Sequence, residues 1–453
     1  MRAWQDRDLI LGRSAKASLP STDSRIALSV LAPLPAADTR LPLASRRGST
    51  PGLHLSSRAD SSEGMLDQPT PMRIAMLSES YFPRISGVVH SLAAFVEALR
   101  RSGHRVYVVA PRYPGFVDGH PDVIRFPSVR LPHDPEFPLG IPITRSLWQR
   151  LLQIELDIVH AHAPFLMGAV SARLARMRGL PLVFTHHTLY DEYVHYARLP
   201  AWLTRPLVRR YTTAFANRCA CVIAPSRFIA ARLRRAGVTA RIEVLSTGAI
   251  DPELFASLDP TWVRIAFGIP AGRPLLVTSS RLAREKSVDL VLRACAEIIR
   301  QRDALMLVVG GGPEEPALRQ LVLDLGLDRY VIFAGLQPHR KALECVSAAD
   351  VFVYASQTET QGLVVVEAMA CGVPVVAVEA GGIPDAVRDG ETGYLAPPSP
   401  AALAEKVIIL LDHPERRAAM GQRAREVARE FSLLTLTDRL QEIYRSLAFR
   451  MAD

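Results

Sequence analysis

The sequence has few of the features that mark disulfide-stabilised, zinc-binding or membrane-spanning proteins. Its five cysteines show neither CxxC spacing nor a nearby histidine cluster, which argues against a disulfide framework and a structural zinc site. No run of about 18 uninterrupted apolar residues occurs, and the richest stretch, residues 364–378, is broken by Glu367, Gly372 and Pro374. A membrane-spanning helix is therefore not expected, and the cysteines are interpreted as buried hydrophobic residues of a reducing compartment.

Lysine is also scarce, with only four in 453 residues. The net charge of +9 is unevenly placed, because residues 72–250 carry about 23 arginines against about 11 acidic residues and residues 251–453 are slightly acidic. The first half should therefore be attracted to an anionic surface. No basic region interleaved with aromatics, no zinc-finger spacing and no RNA-binding motif is present. An anionic membrane surface is expected as a partner, and nucleic acid is not.

Residues 1–70 differ from the rest in composition. They are rich in Ser, Pro, Arg and Asp and show no sustained period of 2 or 3.6, which predicts a disordered N-terminal extension. The apolar piece at residues 26–34 is short and follows more than twenty mostly polar or charged residues, which argues against a signal peptide. Met72 directly precedes the first predicted strand, so Met72 and Met65 are alternative candidate start sites.

From Arg73 onward, short apolar runs alternate with amphipathic helical stretches, which is typical of parallel sheets with helices on both faces. The first series of strands is predicted at residues 74–77, 106–110, 158–161, 182–184, 221–224 and 242–245. A turn-rich break at residues 248–260 precedes a second series at residues 275–279, 306–309, 331–334, 351–354 and 375–378. The pattern predicts an α/β protein with two doubly wound domains, residues 72–250 and 262–430, which bind ligands at the carboxyl ends of the strands.

The most informative motif contains two carboxylates, Glu359 and Glu367, eight residues apart across a predicted strand-to-helix junction. Thr358 and Gly362 are typical cap residues, and a helix N-terminus binds diphosphate through its free N–H groups and positive dipole end. Glu367 is expected to accept hydrogen bonds from ribose, and Glu359 to face a bound sugar. The alternative is a capped amphipathic helix with two solvated acids. The free N–H groups are expected to be those of Gly362, Leu363 and Val364.

Arg281 and Lys286 follow the first strand of the second series, where a lysine stands out against a background of arginine. Together these cations could neutralise a diphosphate leaving group as a glycosidic bond breaks. They would then take the place of a metal ion, and no Asp-x-Asp pair occurs near these sites. No metal or other cofactor is therefore expected. The alternative is a solvated cationic turn.

Three glycines are candidates for close approach to a ligand. Gly310 and Gly311 end a predicted strand and open a helix, where the backbone must pass close to a ligand or to a neighbouring helix. Gly87, in the loop after the first strand, is the best candidate to let phosphate or acceptor come near. No GxGxxG motif follows any predicted strand, which argues against a dinucleotide-dependent oxidoreductase.

Histidines gather at the ends of two predicted strands of the first series. His160 and His162 point to the same side of one strand, so one is expected to be packed and the other to face the cleft. His186 and His187 close the next strand. A metal site would need a further ligand at fixed spacing, and none is evident. His162 is expected to line the acceptor site, with a structural histidine as the alternative.

Taken together, these motifs resemble the retaining GT-B glycosyltransferases of family 4, from about Arg73 to the C-terminus. The resemblance implies two Rossmann-like domains, the first binding the acceptor and the second a UDP- or GDP-linked sugar. It also implies a last helix near residues 434–448, within a segment 431–453 that crosses back to the first domain. The matching residues are Gly87-Val88, Gly103-His104, His160-Ala161-His162, Arg281 with Lys286, residues 310–313, Glu359 with Glu367, Gly381-Gly382 and residues 389–395.

A narrower likeness involves residues 185–196 and 358–363, which are similar to bacterial glycosyltransferases that glucosylate diacylglycerol. In those enzymes the usual Phe before the motif glycine is Gln, as at Gln361. The likeness implies that His187 and Tyr190 contribute to acceptor or membrane binding.

The segment that follows, residues 199–210, mixes apolar residues with arginines, including Trp202 and Arg209. This mixture suits a helix that lies in an anionic membrane interface. The alternative is an ordinary surface helix whose arginines are in water.

The expected reaction is a retaining transfer of a hexose from a nucleotide sugar, preferably UDP-glucose, to a lipid such as diacylglycerol. Arg281 and Lys286 would stabilise the departing nucleoside diphosphate, Glu359 would orient the sugar, and His162 would contact the sugar or the incoming hydroxyl. No carboxylate is placed as a covalent nucleophile, so the leaving phosphate itself would accept the acceptor proton. We expect a cytoplasmic enzyme that is peripheral on the inner face of the cell membrane.

Three alternatives remain open at this point. The first is a GDP-mannose-dependent mannosyltransferase that acts on phosphatidylinositol or on a glycan. The second is a catalytically silent GT-B subunit that binds a partner or a glycan, and the third is a nucleotide-sugar epimerase. Donor specificity depends on a few hydrogen bonds whose geometry the sequence does not give.

Overall fold

The computed structural model describes residues 70–84, 86–131, 134–190 and 201–448, and the structural statements below concern those residues. The predicted disordered extension, up to residue 69, therefore lies outside the described residues. Residues 191–196 of the segment similar to lipid glucosyltransferases, and residues 199 and 200 of the arginine-rich segment, lie outside them as well.

The first half of the described chain forms a seven-stranded parallel sheet and a separate two-stranded antiparallel hairpin. The strand order in the large sheet is β3-β2-β1-β6-β7-β8-β9, and the hairpin pairs β4 with β5. The strands are β1 (Arg73–Leu77), β2 (Arg105–Pro111), β3 (Val123–Phe126), β4 (Ser128–Leu131), β5 (Asp134–Gly140), β6 (Ile158–Ala161), β7 (Leu182–Thr185), β8 (Cys221–Ala224) and β9 (Ile242–Val244). The helices are α1 (Gly87–Arg101), α2 (Arg145–Gln153), α3 (Leu166–Arg178), α4 (Ala201–Ala216) and α5 (Arg227–Arg235).

Two short helices, α6 (Pro252–Ala256) and α7 (Thr261–Ala266), lead to a second parallel sheet of six strands in the order β12-β11-β10-β13-β14-β15. Its strands are β10 (Leu275–Ser279), β11 (Leu305–Val309), β12 (Val331–Gly335), β13 (Val351–Tyr354), β14 (Val375–Val378) and β15 (Gly393–Ala396). Its helices are α8 (Val288–Ile299), α9 (Glu315–Asp324), α10 (His339–Ser347), α11 (Leu363–Ala370), α12 (Ile383–Ala386), α13 (Pro400–Asp412) and α14 (Pro414–Ala428), and the last helix of the described chain is α15 (Leu433–Ala448).

Both faces of each sheet are buried, which explains why the strands are nearly continuous apolar runs. Along β10, Leu276 packs into the hydrophobic cluster on one face, whereas Leu275 and Val277 pack into the cluster on the other face. Burial of such side chains stabilises the fold by roughly 25 cal/mol for each Å² of apolar surface removed from water. The predicted α/β architecture with two doubly wound sheets is confirmed.

The predicted strands all exist, with ends that differ by at most one residue, but four strands were not predicted. The strands β3 and β15 lie at the edges of the two sheets, and β15 begins with a glycine. Each of these two strands has only four residues, so its sequence pattern is weak. The hairpin strand β5 contains Pro135 and Pro138, which argue against a strand in a sequence reading.

The cysteines are all buried and unpaired, as the sequence predicted. They are Cys219, Cys221, Cys295, Cys345 and Cys371. None of the described helices is both long enough and apolar enough to cross a membrane.

Helix α15 follows the second sheet in sequence but packs against α1 and the core of the first sheet. Tyr444, on α15, is fully buried in that core, and its hydroxyl lies 2.6 Å from Nδ1 of His160 at the end of β6. His104 makes a second buried contact, since its Nε2 lies 2.9 Å from Oε1 of Gln441. The chain therefore passes twice between the regions of the two sheets, once before α6 and once before α15.

We predict that Tyr444→Phe lowers the free energy of unfolding by about 1–3 kcal/mol, because it leaves a buried nitrogen of His160 without its partner. Urea unfolding of the two proteins measures the difference. Thr185→Val removes the other hydrogen-bond partner of His160, within the first sheet. It is the matched comparison and should lower the free energy of unfolding by a similar amount. An unchanged stability of Tyr444→Phe would contradict a structural role for this bond.

Candidate active site

The carboxylate loop, residues 355–362, joins β13 to α11 at the carboxyl edge of the second sheet. Gly362 is the N-cap of α11 with a φ of 82°, a left-handed conformation that glycine adopts at little cost. The helix has no side-chain cap bond, so the predicted capping role is right for Gly362 and wrong for Thr358. Leu363 and Val364 form the first turn, whose N–H groups have no partner within the helix.

Glu359 and Lys286 form a largely buried ion pair in this loop. Nζ of Lys286 lies 2.5 Å from Oε1 of Glu359, and the hydroxyl of Tyr354 donates to the same oxygen at 2.7 Å. Burial alone would raise the pKa of Glu359, but the charge of Lys286 and the hydrogen bonds outweigh it and hold the pKa below its ordinary value. Glu359 is therefore a carboxylate at neutral pH and accepts hydrogen bonds.

The cation loop, residues 280–286, leads away from β10 and carries both predicted cations. The Arg281 side chain is exposed, whereas the Lys286 side chain is only 24% exposed because it reaches across to Glu359. The structure thus joins Lys286 directly to the carboxylate loop, although the two residues of the pair are 73 positions apart in sequence.

The glycine loop, residues 310–312, follows β11 and packs against the backbone of the cation loop. The N–H of Leu282 donates to the carbonyl oxygen of Gly311 at 3.0 Å. A Cβ added to Gly310 would lie 1.9 Å from the carbonyl oxygen of Ser280, a distance that no side chain could occupy. Gly310 therefore holds the cation loop in place, and the donor contacts expected of Gly310 and Gly311 stay a prediction.

Gly381 and Gly382 hold the carboxylate loop in the same way. The N–H of Gly382 donates to the carbonyl oxygen of Glu359 at 2.9 Å. A Cβ on Gly381 would lie 2.3 Å from that oxygen, and one on Gly382 would lie 2.5 Å from the carbonyl oxygen of Thr360. The sequence connected this pair of glycines to the site only through the family resemblance.

Glu367 lies on α11 and is bound by His339 at the start of α10. Nε2 of His339 lies 2.8 Å from Oε1 of Glu367, and this hydrogen bond raises the pKa of His339 above its ordinary value. The carboxylate of Glu367, which is predicted to bind ribose, is therefore hydrogen-bonded to the imidazole of His339. His339 was not predicted, because it lies 28 positions before Glu367 and only the packing of two helices brings them together.

Two histidines, His160 and His162, lie side by side at the carboxyl edge of the first sheet, with ring centroids 4.2 Å apart and ring planes tilted by 33°. His160 is bonded through both ring nitrogens, to Tyr444 and to Thr185, and burial lowers its pKa to about 3. Nδ1 of His162 lies 2.9 Å from Nε2 of His187, whereas Nε2 of His162 has no hydrogen-bond partner among the described residues. His160 is therefore a packed histidine, and His162, only 5% exposed, keeps one nitrogen available.

A small cavity beside His162 is also lined by His187, Ser246 and Thr247. Ser246 and Thr247 belong to the linker loop, residues 246–248, which follows β9 and leads towards the second sheet. Gln361 of the carboxylate loop hydrogen-bonds to all three residues of the linker loop. The sequence identified Gln361 as unusual for its position but did not indicate what it contacts.

The remaining predicted residues lie in the first half of the chain. Gly87 begins α1, is exposed, and has no heavy atom within 4 Å of the position of a Cβ, which leaves room for a ligand. The ring of Tyr190 packs edge-on against Phe165, with centroids 5.4 Å apart. Trp202 and Arg209 lie exposed on α4.

No group of three or more His, Cys, Asp or Glu side chains within the described ranges could hold a metal ion. Independence from a metal cofactor stays a prediction.

We predict that Gly310→Ala lowers the free energy of unfolding by more than about 2 kcal/mol, because a left-handed φ and a clash with Ser280 act together. Gly326→Ala is the matched control, since Gly326 has a φ of 68° but open space around a Cβ. This control should cost only about 1 kcal/mol. Equal losses in denaturant unfolding would show that the clash with the cation loop has no effect.

Comparison with known protein families gives two matches, one over each sheet. The family described as Glycosyltransferase Family 4 matches residues 85–253. The family described as Glycosyl transferases group 1 matches residues 263–427.

Individual relatives agree with these matches. The chain is 29% identical over 367 residues to the alpha-monoglucosyldiacylglycerol synthase of Acholeplasma laidlawii, which covers 78% of this chain and 92% of the relative. It is 30% identical over 383 residues to the GDP-mannose-dependent alpha-mannosyltransferase of Mycobacterium tuberculosis, which covers 80% of this chain and 94% of the relative.

Among solved structures, HepE of Anabaena in complex with UDP has a similar fold. It matches with a TM-score of 0.67 at 24% sequence identity, over 83% of this chain and 100% of that chain. The two parallel sheets, the paired charges at the edge of the second sheet and the family matches lead to one conclusion: the chain belongs to the GT-B glycosyltransferases, with a family 4 domain followed by a group 1 domain.

Proposed function

We propose that this glycosyltransferase moves a glucosyl group from UDP-glucose to a lipid such as diacylglycerol at an anionic membrane surface, with retention of anomeric configuration. The exposed surface of α4 carries the proposal of a lipid acceptor. Trp202, Leu203 and Leu207 are 77%, 51% and 65% exposed, and Arg205 and Arg209 on the same helix are also exposed. Large apolar side chains among arginines favour binding to an anionic lipid interface.

The names of two relatives support the choice of donor and acceptor. The relative from Acholeplasma laidlawii is named for the synthesis of a monoglucosyldiacylglycerol, and the structure of HepE contains UDP. Another relative, from Mycobacterium tuberculosis, is named for a different donor, GDP-mannose. A mannosyltransferase acting on phosphatidylinositol or on a glycan is therefore the second candidate.

The donor would bind at the start of α11. In this proposal the diphosphate accepts hydrogen bonds from the N–H groups of Gly362, Leu363 and Val364, where the helix dipole favours negative charge. Glu367 accepts hydrogen bonds from the ribose hydroxyls, in exchange for its contact with His339.

Charge develops on the diphosphate as the glycosidic bond breaks. Arg281 and Lys286 stabilise that charge, and the ion pair with Glu359 holds the ammonium group in position before the donor arrives. Glu359 remains ionised and orients the hydroxyls of the sugar. The acceptor oxygen attacks the anomeric carbon on the face from which the diphosphate leaves, and its proton passes to an oxygen of the departing phosphate. His162 contacts the sugar or the incoming hydroxyl from the first domain.

We predict that Lys286→Ala lowers kcat by about 100-fold or more, because the leaving group loses a fixed charge in a water-poor site. The variant also leaves Glu359 buried without its cation, so the pKa of Glu359 should rise and the acid limb of the pH profile should move to higher pH. Lys406→Ala, at a surface lysine of α13, is the control and should behave as the wild type. Normal turnover by Lys286→Ala with normal donor binding would rule out the leaving-group role.

The proposed function is tested with the purified chain, offered UDP-glucose, UDP-galactose or GDP-mannose with and without liposomes that contain diacylglycerol and an anionic phospholipid. Transfer of glucose to the lipid, with an α-linked product by NMR, is the expected result. Transfer only from GDP-mannose would favour the second candidate instead.

We predict that the double variant Trp202→Ser with Arg209→Glu loses liposome binding and transfer to lipid but retains hydrolysis of the donor in solution. The apolar and electrostatic contributions to membrane binding are then both removed from α4. Ile265→Ser with Arg293→Glu, which changes an exposed apolar residue and an exposed arginine of the second half, is the matched control. Unchanged sedimentation of the α4 variant with liposomes would overturn the proposed membrane contact.

A further inference from the structure

Gln361 extends away from the helix that it precedes and is only 7% exposed. Its Oε1 accepts hydrogen bonds from the backbone N–H of Thr247 at 3.0 Å and of Gly248 at 2.9 Å. Its Nε2 donates to the carbonyl oxygen of Gly248 at 3.0 Å and to the hydroxyl of Ser246 at 2.5 Å. An amide side chain offers two N–H donors and two acceptor lone pairs, so its hydrogen-bonding capacity is fully used.

The linker loop that Gln361 binds is continuous with the first domain. Leu245, directly before it, is buried in the core of the first sheet. Ser246 and Thr247 line the same cavity as His162 and His187, which we call the histidine cavity. The same short loop therefore contacts the carboxylate loop on one side and the histidine cavity on the other.

The backbone of Gly248 packs closely against the side chains of Leu363 and Gln361. A Cβ added to Gly248 would lie 2.9 Å from Cδ1 of Leu363 and 3.0 Å from Nε2 of Gln361. The linker loop thus lies directly against the N-terminal turn of α11, where the proposed donor site is found. A movement of the linker loop relative to α11 would break directional hydrogen bonds rather than an apolar contact that can slide.

We propose that Gln361 is a positioning residue that fixes the donor-binding end of α11 relative to the histidine cavity of the first domain. This inference rests on the proposed donor site, because it assigns the reacting partners to opposite sides of the contact. The donor is bound by the second domain and the acceptor hydroxyl is delivered beside His162, so their alignment depends on the relation between the two loops. A displacement of about 1 Å between reacting groups can lower a rate by about 100-fold.

The bonds of Gln361 can open and reform during turnover. Each of the groups involved becomes hydrated when the loops separate, and the net free energy of one such hydrogen bond is small. The contact therefore defines the aligned geometry without preventing the domain movements that release products.

The test is Gln361→Met, which retains the approximate volume and removes all of these hydrogen bonds. We expect kcat, measured by donor hydrolysis or by transfer, to fall by about 10-fold or more, while the Kd for UDP changes by less than about threefold. Hydrogen exchange at the amides of Thr247 and Gly248 should accelerate, because they lose their acceptor. Ser246→Ala, which removes one of the bonds from the other side, should shift kcat in the same direction by a smaller factor.

Gln320→Met, on the exposed surface of α9, is the matched control and should leave kcat, UDP binding and exchange unchanged. A lower melting temperature of Gln361→Met with normal kcat would reduce its role to stability and overturn the proposal. Unchanged exchange at Thr247 and Gly248 would overturn it as well. Failure of the wild-type protein to bind UDP would instead disprove the proposed donor site, and the positioning role with it.

Discussion

Contacts between backbones, at separations that only glycine permits, hold the loops of the candidate site together. Gly310 lies against Ser280, and Gly381 lies against the carbonyl group of Glu359, at places where a Cβ would come within 1.9 Å and 2.3 Å of an oxygen. These contacts fix the cation loop against Gly310 and the carboxylate loop against Gly381. The ion pair between Lys286 and Glu359 joins the two loops that are held in this way.

That ion pair has a cost, since both charges are largely removed from water and must be matched by good geometry. The hydroxyl of Tyr354 donates a second hydrogen bond to the carboxylate oxygen that Lys286 binds. A structural ion pair of this kind is a weak source of stability, but a fixed ammonium group is useful where a diphosphate must depart. The pair lies beside the first turn of α11, so the helix dipole and the free N–H groups of that turn act at the same place.

Two side chains connect the two domains, and each of them hydrogen-bonds to a partner in the other half of the chain. Tyr444 reaches from the last helix to His160, and Gln361 reaches from the carboxylate loop to residues 246–248. Both contacts end near His160 and His162, so the surroundings of these histidines include residues that are bonded to the second half of the chain. The sequence predicted that one of His160 and His162 is packed and assigned the acceptor site to His162. The hydrogen bond from Tyr444 is what separates a packed histidine from one with a nitrogen available.

The sequence by itself determined the two doubly wound sheets, because short apolar runs alternate with amphipathic helices and local periodicity is enough to identify buried parallel strands. It also determined the glycine at the start of α11 and the residues that match a glycosyltransferase family, since these lie in short contiguous motifs. It did not determine the edge strands β3 and β15, whose few residues carry little pattern. Only the tertiary structure decided the partners of Glu359, Glu367 and Gln361. Those contacts join residues 73, 28 and 113 positions apart, and no local pattern can specify which distant loops the packing of the sheets will bring together.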